Sequence, residues 1–216
     1  MIQDLNSIVD HWKRWARKKG RHPPWRVIKD PYLIAMAEIL LQKTKAADVE
    51  PVWRKLTSEF PKPEDLVYAK DKDILAVIAG LGLGNQRTKR LKAMAAALSD
   101  NKLPENIPGL GPYGSGIVFF SIGQEVPTIP VDGNIARVVC RYFGLRFEHG
   151  EPRKKPEVRE MVKSIIDTQR DLSQKLKVLY ALVDLGDSIC RLKPRCQHCI
   201  SASSCVFAEH AHVKQC

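Results

Sequence analysis

An all-α fold is predicted by three observations. Apolar residues recur at helical spacing through most of the chain, glycine and proline break these runs into helix-sized pieces, and no series of alternating strands intervenes. With 216 residues the chain can bury a substantial core, as one domain or two small ones. Hydrophobic residues at 44% and charged residues at 27% are ordinary for a soluble globular protein. The sign of the charge is not ordinary: 35 Lys and Arg against 24 Asp and Glu leave a net +11. Such a surplus suits a polyanionic partner, because each neutralised phosphate releases counterions. Ribosomal, membrane-surface and some thermophile proteins share that surplus, so motifs must decide. The first twenty residues carry early acids and no unbroken apolar segment, unlike a secretory signal. No run reaches the ~18 apolar residues of a membrane span. A soluble intracellular protein of the cytoplasm or nucleoid, without a membrane partner, is expected.

The elements follow in order. Leu5, Ile8, Val9, Trp12 and Trp15 make an amphipathic helix over 4–18, stopped by Gly20 and the Pro23-Pro24 pair. Asp30 is placed to cap a second helix with Pro31 in its first turn. Glu38 lies in that helix among Ile34, Met36, Ala37, Ile39, Leu40 and Leu41. An acid in such surroundings either faces solvent or sits in a cleft with a partner, because burying it alone is costly. Helices are expected over 49–60 and 63–79. The stretch GLGLGNQRTKR at 80–90 is a glycine-punctuated turn running into a basic helix start that carries Arg87, Lys89 and Arg90. It suits phosphate contact but is not a Walker loop, since Gly-Lys-Ser/Thr is missing. A helix with a solvated basic face is the competing reading. Further helices are expected over 135–142, ended by Gly144, and over 157–168 and 171–189.

The most informative stretch is IPGLGPYGSGIVFFSIGQEVPTIPVD, residues 107–132. Pro-Gly-Leu-Gly is a tight turn in which Gly109 and Gly111 allow backbone that a Cβ resists. The apolar run that follows makes a helix whose free N–H groups can receive a phosphate. A single acid, Asp132, follows, with Gly-Asn and a second apolar run after it. An ordinary helix corner with an aspartate cap would look the same in isolation.

Six cysteines stand at 140, 190, 196, 199, 205 and 216, four of them within sixteen residues as Cys190-x5-Cys196-x2-Cys199-x5-Cys205. Without a secretion signal, the cluster reads as metal or Fe–S ligation before disulfides. Four thiolates permit either a tetrahedral zinc or a cubane. Between the first two lie Arg191, Lys193 and Arg195, a basic loop suited to a phosphate backbone. Cys140 fits the apolar pattern of its helix and reads as core.

PPWR at 23–26, DPYLIAMAEILLQKT at 30–44, LGNQR at 83–87, IPGLGPY at 107–113, VDGNIARV at 131–138, LVDLGDSIC at 182–190 and the cysteine cluster together resemble the helix-hairpin-helix DNA glycosylases with an Fe–S cluster. That group contains endonuclease III, the MutY-type adenine glycosylases and the thymine-mismatch glycosylases. The resemblance covers nearly the whole chain. It implies two helical subdomains with a DNA-binding active-site cleft between them: a six-helix barrel over 25–133 carrying the hairpin, and a discontinuous cluster subdomain of 1–24 and 134–216. It also implies a [4Fe–4S] cluster on Cys190, Cys196, Cys199 and Cys205, and a monomer acting on double-stranded DNA with a mismatched or damaged base.

Carried over by position, the resemblance makes Asp132, Glu38 and Tyr113 catalytic and Gln42, Lys43, Asn85, Gln86, Arg87, Gly109, Gly111, Arg191, Lys193 and Arg195 DNA-binding. Bifunctional members carry a lysine where Tyr113 stands, so a monofunctional enzyme without efficient lyase chemistry is implied. Asp-Gly-Asn at 132–134 leans toward the adenine enzymes. GLGNQR leans the other way, since those enzymes usually carry Tyr-Tyr after Gly-Leu-Gly, and the domain by which they recognise 8-oxoguanine is not in this sequence. Removal of thymine or uracil opposite guanine is expected first, adenine opposite guanine or 8-oxoguanine second. A mismatch-binding protein that has lost the chemistry is a third reading. The first cysteine gap is x5 where the family usually has x6, and the helix after Tyr113 is one residue short.

Overall fold

The N-terminal helix α1 (Leu5–Lys19) begins where Asp4 accepts the backbone N–H of Asn6, and it buries Ile8, Val9 and Trp12 on one face. It belongs to a computed structural model that describes residues 4–100, 103–126 and 128–213. The chain divides into two compact units, one formed by Met1–Arg21 with Val131–Cys216 and the other by His22–Pro130. Among the described residues there is no strand, as the all-α expectation requires. No described helix is long and apolar enough to cross a membrane.

Among its described residues the His22–Pro130 unit holds six α-helices: α2 (Pro31–Leu40), α3 (Ala46–Glu59), α4 (Pro63–Tyr68), α5 (Asp71–Ile78), α6 (Gly84–Leu98) and α7 (Pro112–Ser121). Helix α2 is buried nearly all round, and α6 and α7 pack against it. Asp30 caps α2 by accepting the N–H groups of Tyr32 and Leu33, with Pro31 in the first turn. The buried aromatics keep their polar atoms paired. Trp53 Nε1 donates to the Leu33 carbonyl and the Tyr32 hydroxyl to the Phe60 carbonyl, each at 2.9 Å. The single helix expected over 63–79 is two. Ala69 turns extended, and Lys92 of α6 donates both to its carbonyl (2.8 Å) and to Asp71 (2.9 Å), which opens α5.

The other unit joins α1 to α8 (Gly133–Phe143), α9 (Pro156–Ile166), α10 (Leu172–Ser188) and α11 (Val206–Val213). Helix α10 packs against α8 and α1. Helix α8 starts two residues earlier than expected, because Asp132 caps it, and Gly144 ends it at φ 74°. Arg21 anchors the end of the α1 segment through two bonds to buried Asp184 of α10, at 2.8 and 2.9 Å.

Candidate active site and cysteine pocket

Asp132 is the N-cap of α8. Its Oδ1 accepts the Ile135 N–H at 2.7 Å and its Oδ2 accepts Asn134 Nδ2 at 3.1 Å. Burial raises its pKa above the ordinary carboxylate value. The bonds from Ile135 and Asn134 and the charge of Arg137 pull the other way without cancelling that rise. An oxygen held by a helix N-terminus and kept partly from water is an oriented anion whose field is weakly screened.

The cap is tied to the cysteine segment by a continuous chain of bonds. Asn134 Oδ1 accepts Arg137 Nη2 at 2.6 Å, and Arg137 Nε donates to the Cys190 carbonyl at 2.7 Å. Arg137 Nη2 also reaches the Gly186 carbonyl at 2.8 Å. Gly186 must lack a side chain, since a Cβ there would stand 2.7 Å from Asn134 Cβ. Asn134 entered the sequence reading only as part of Asp-Gly-Asn, and Arg137 was not singled out. The available signal was a pair of arginines, Arg137 and Arg141, one turn apart on the apolar helix that Asp132 opens.

Arg141 organises the loop after Cys190, donating to the carbonyls of Arg191 (2.5 Å) and Leu192 (3.1 Å), and its guanidinium lies 4.7 Å from the Phe207 ring centre. The Arg195 N–H closes this loop on the Ile189 carbonyl at 3.0 Å. Arg191, Lys193 and Arg195 are thereby exposed on a pinned loop. Cys190, Cys196, Cys199 and Cys205 line one pocket with Arg141, Ile189, Pro194, Ala202, Phe207 and Ala208. All four are free thiols, as is Cys140, while Cys216 lies outside the described residues. Burial, with the neighbouring cysteines, raises the thiol pKa of Cys199 and Cys205. The donor type and the shared pocket fit a thiolate-ligated group. No set of three or more His, Cys, Asp or Glu among the described residues is placed to hold a metal ion. From the core side, Trp12 Nε1 bonds Ser201 Oγ at 2.9 Å and Tyr142 pairs with Ser204 at 3.0 Å, fixing the segment that carries Cys199 and Cys205.

The remaining candidates lie in the His22–Pro130 unit. Glu38, in α2, is 9% exposed, so the solvent-facing reading of this acid does not hold. Tyr113 is half-buried in the first turn of α7. Gly109 takes φ +81°, and a Cβ there would sit 2.9 Å from Arg90 Cβ, so glycine is required. The parallel expectation for Gly111 is corrected. Its φ is −84° and a Cβ would meet nothing within 4 Å. What Gly111 provides is an exposed helix start with no side-chain cap, which leaves the N–H groups of α7 open to a phosphate.

Two residues expected to meet DNA spend their side chains on bonds within the protein, Arg87 buried and Gln42 half-buried. Arg87 is 1% exposed and donates to the carbonyls of Leu81, Gly82 and Gln42 and to Thr44 Oγ1. Its charge closes the C-terminal end of α2, where carbonyls lack helical partners. The Gln42 side chain is likewise committed, Nε2 donating to the Gly109 carbonyl at 2.9 Å and Oε1 accepting from Arg90. Lys43, Asn85 and Gln86 are exposed. Leu83, a bulky apolar residue between glycines, is 50% exposed at φ 53°.

An all-α chain with a glycine hairpin, an acid capping the helix beyond it and a four-cysteine pocket is the pattern of one class of DNA-repair protein. Residues 36–167 match the HhH-GPD superfamily of base excision DNA repair proteins, and the chain belongs to that family. It is 28% identical to the thymine/uracil-DNA glycosylase of Pyrobaculum aerophilum, over 94% of this chain and 93% of that protein. It is also 28% identical to the adenine DNA glycosylase of Buchnera aphidicola, but spans only 56% of that protein. A solved thermostable thymine-DNA glycosylase superposes with TM-score 0.81 at 27% identity, covering 95% of this chain and 97% of that one. An endonuclease III–DNA complex shares the fold, with TM-score 0.74 at 18% identity.

Proposed function

We propose that the protein is a monofunctional DNA glycosylase that hydrolyses the N-glycosidic bond of a mismatched base, thymine or uracil opposite guanine. The observation that carries the reading is Asp132, an acid oriented by a helix N-terminus and held partly out of water. A base stacked in a duplex is out of reach, so the nucleotide is extruded at a cost of a few kcal/mol, least at a mismatch. Bond cleavage then builds positive charge on the sugar. Ionised Asp132 stabilises that charge and aligns the attacking water. Glu38, held in an apolar helix, donates a proton or hydrogen bond to the departing base. Tyr113, having no amine, forms no Schiff base with the sugar.

The phosphate beside the extruded nucleotide is received at the α7 N-terminus next to Gly109 and Gly111. Exposed Asn85, Gln86 and Lys43 and the Arg191–Arg195 loop extend the contact along the backbone of double-stranded DNA. Lys43 takes the space the extruded base leaves. Cys190, Cys196, Cys199 and Cys205 would hold a [4Fe–4S] cluster, whose role would be to brace the basic loop. The thiolate-only donor set and the shared pocket support it. The protein acts as a monomer.

Thymine or uracil is favoured over adenine because GLGNQR lacks the Tyr-Tyr pair, and because relatives matched along nearly their whole length are thymine or thymine/uracil glycosylases. The test is single-turnover cleavage of T/G, U/G, A/G and A/8-oxoguanine duplexes, with and without borohydride. The expected result is alkali-dependent cleavage at T/G and U/G and no trapped adduct. Cleavage confined to adenine strands would reverse the choice of base. Binding to mismatches with no cleavage of any duplex would favour a binding protein.

A further inference from the structure

Two residues other than glycine hold left-handed backbone among the described residues, Lys43 at φ 59° and Leu83 at φ 53°. That conformation costs a residue with a Cβ roughly 1–2 kcal/mol, so the surroundings must impose it. Both residues sit in exposed turns, far apart in sequence, and one guanidinium holds both turns. Arg87 donates through Nη2 to the Gln42 carbonyl (2.8 Å) and to Thr44 Oγ1, the residues on either side of Lys43. Through Nη1 it donates to the carbonyls of Leu81 and Gly82, just ahead of Leu83. The Arg87 N–H, in addition, bonds the Leu83 carbonyl at 2.9 Å.

This is a costly way to fill an interior position. Among the described residues no carboxylate is bonded to the buried charge and Nε has no hydrogen-bond partner. A well-packed apolar side chain would avoid the desolvation. What it could not supply is a rigid planar fork that fixes two separate turns together. Gln42 extends the arrangement to the hairpin, since its side chain bridges the Gly109 carbonyl and Arg90.

We infer that Arg87 is a positioning residue for nucleotide extrusion, holding the Lys43 and Leu83 turns in strained, exposed conformations so that both side chains meet the duplex already set. The inference rests on the glycosylase reading. An exposed leucine on a fixed turn is an apolar wedge for a base step, and a cation beside it can occupy the vacated space near the phosphates. Imposing the turns on folding removes their ordering cost from the extrusion step, which already carries the cost of unstacking.

The test uses a duplex with 2-aminopurine beside a T/G mismatch, whose fluorescence rises on extrusion. Arg87→Lys keeps the charge but cannot span both turns. Thr44→Val removes one acceptor and leaves the other bonds of Arg87 in place. In Arg87→Lys the extrusion signal and the single-turnover rate are expected to fall on the order of 10- to 100-fold, as for lost charge-assisted hydrogen bonds. Affinity for fully matched DNA, which depends on phosphate contacts, should stay within about threefold. Thr44→Val should shift the same readouts in the same direction by less, and it decides the matter if Arg87→Lys does not fold. A folded variant with parental extrusion and rate would overturn the assignment, as would a loss confined to melting temperature. A parent protein that neither extrudes nor cleaves would overturn the glycosylase reading, and this inference with it.

Discussion

Asn134 stands between the acid of the candidate site and the cysteine segment, and its removal gives the sharpest test of how Asp132 is prepared. In Asn134→Ala the Asp132 carboxylate loses the 3.1 Å bond to Oδ2 but keeps the Ile135 N–H at 2.7 Å, so the helix cap survives. Arg137 keeps the carbonyls of Gly186 (2.8 Å) and Cys190 (2.7 Å), so no buried cation is left unpaired. A hydrogen bond to a charged group contributes about 1.5–3 kcal/mol, which as lost transition-state stabilisation is on the order of 10- to 100-fold in rate. The bond also favours the ionised form of Asp132, so losing it moves the pKa further up. The assay is single-turnover cleavage of T/G duplex across pH, with duplex affinity measured beside it. The expected result is a lower plateau, an acid limb displaced to higher pH, and affinity within about threefold because no phosphate contact is removed. A profile with unchanged plateau and limb would refute the argument that Asn134 prepares the acid.

Asp132→Asn should lower single-turnover cleavage by at least about 10²-fold while the protein stays folded, because Asn also accepts at an N-cap. The raised pKa means the folded state binds this proton more tightly than the unfolded chain does. Its contribution to stability therefore grows as pH falls through the raised value toward 3.8, and denaturant titrations of the Asn variant should lose that component of the pH dependence. Gly109→Ala should cost roughly 1–3 kcal/mol in unfolding experiments, from the left-handed backbone and the contact with Arg90, whereas Gly111→Ala should cost less than about 1 kcal/mol. Cys199→Ser should abolish bound iron and sulfide in anaerobically prepared protein and weaken duplex binding through the Arg191–Arg195 loop, while Cys140→Ser should keep both. Parent protein containing zinc without iron would instead support the single-ion alternative.

The sequence by itself determined the helical class, the cap at Asp30, the hairpin glycine at 109 and the family. These are local properties: a cap, a turn and an apolar period each depend on residues within a few positions of one another. Only tertiary structure decided which polar side chains are bonded within the protein and which stay exposed. Arg87 lies in a stretch that suits phosphate contact and Gln42 is DNA-binding by resemblance, yet Arg87 is buried against carbonyls at the end of α2 and the half-buried Gln42 side chain is bonded to the Gly109 carbonyl. The break at Ala69 is similar, since the Lys92 that stabilises it comes from a different helix. So is the bond chain from Asp132 through Asn134 and Arg137 to Cys190, whose last step joins residues 53 positions apart. Composition and spacing announce a charge or a donor. Its direction is set by whichever unsatisfied backbone groups the fold brings within hydrogen-bonding distance.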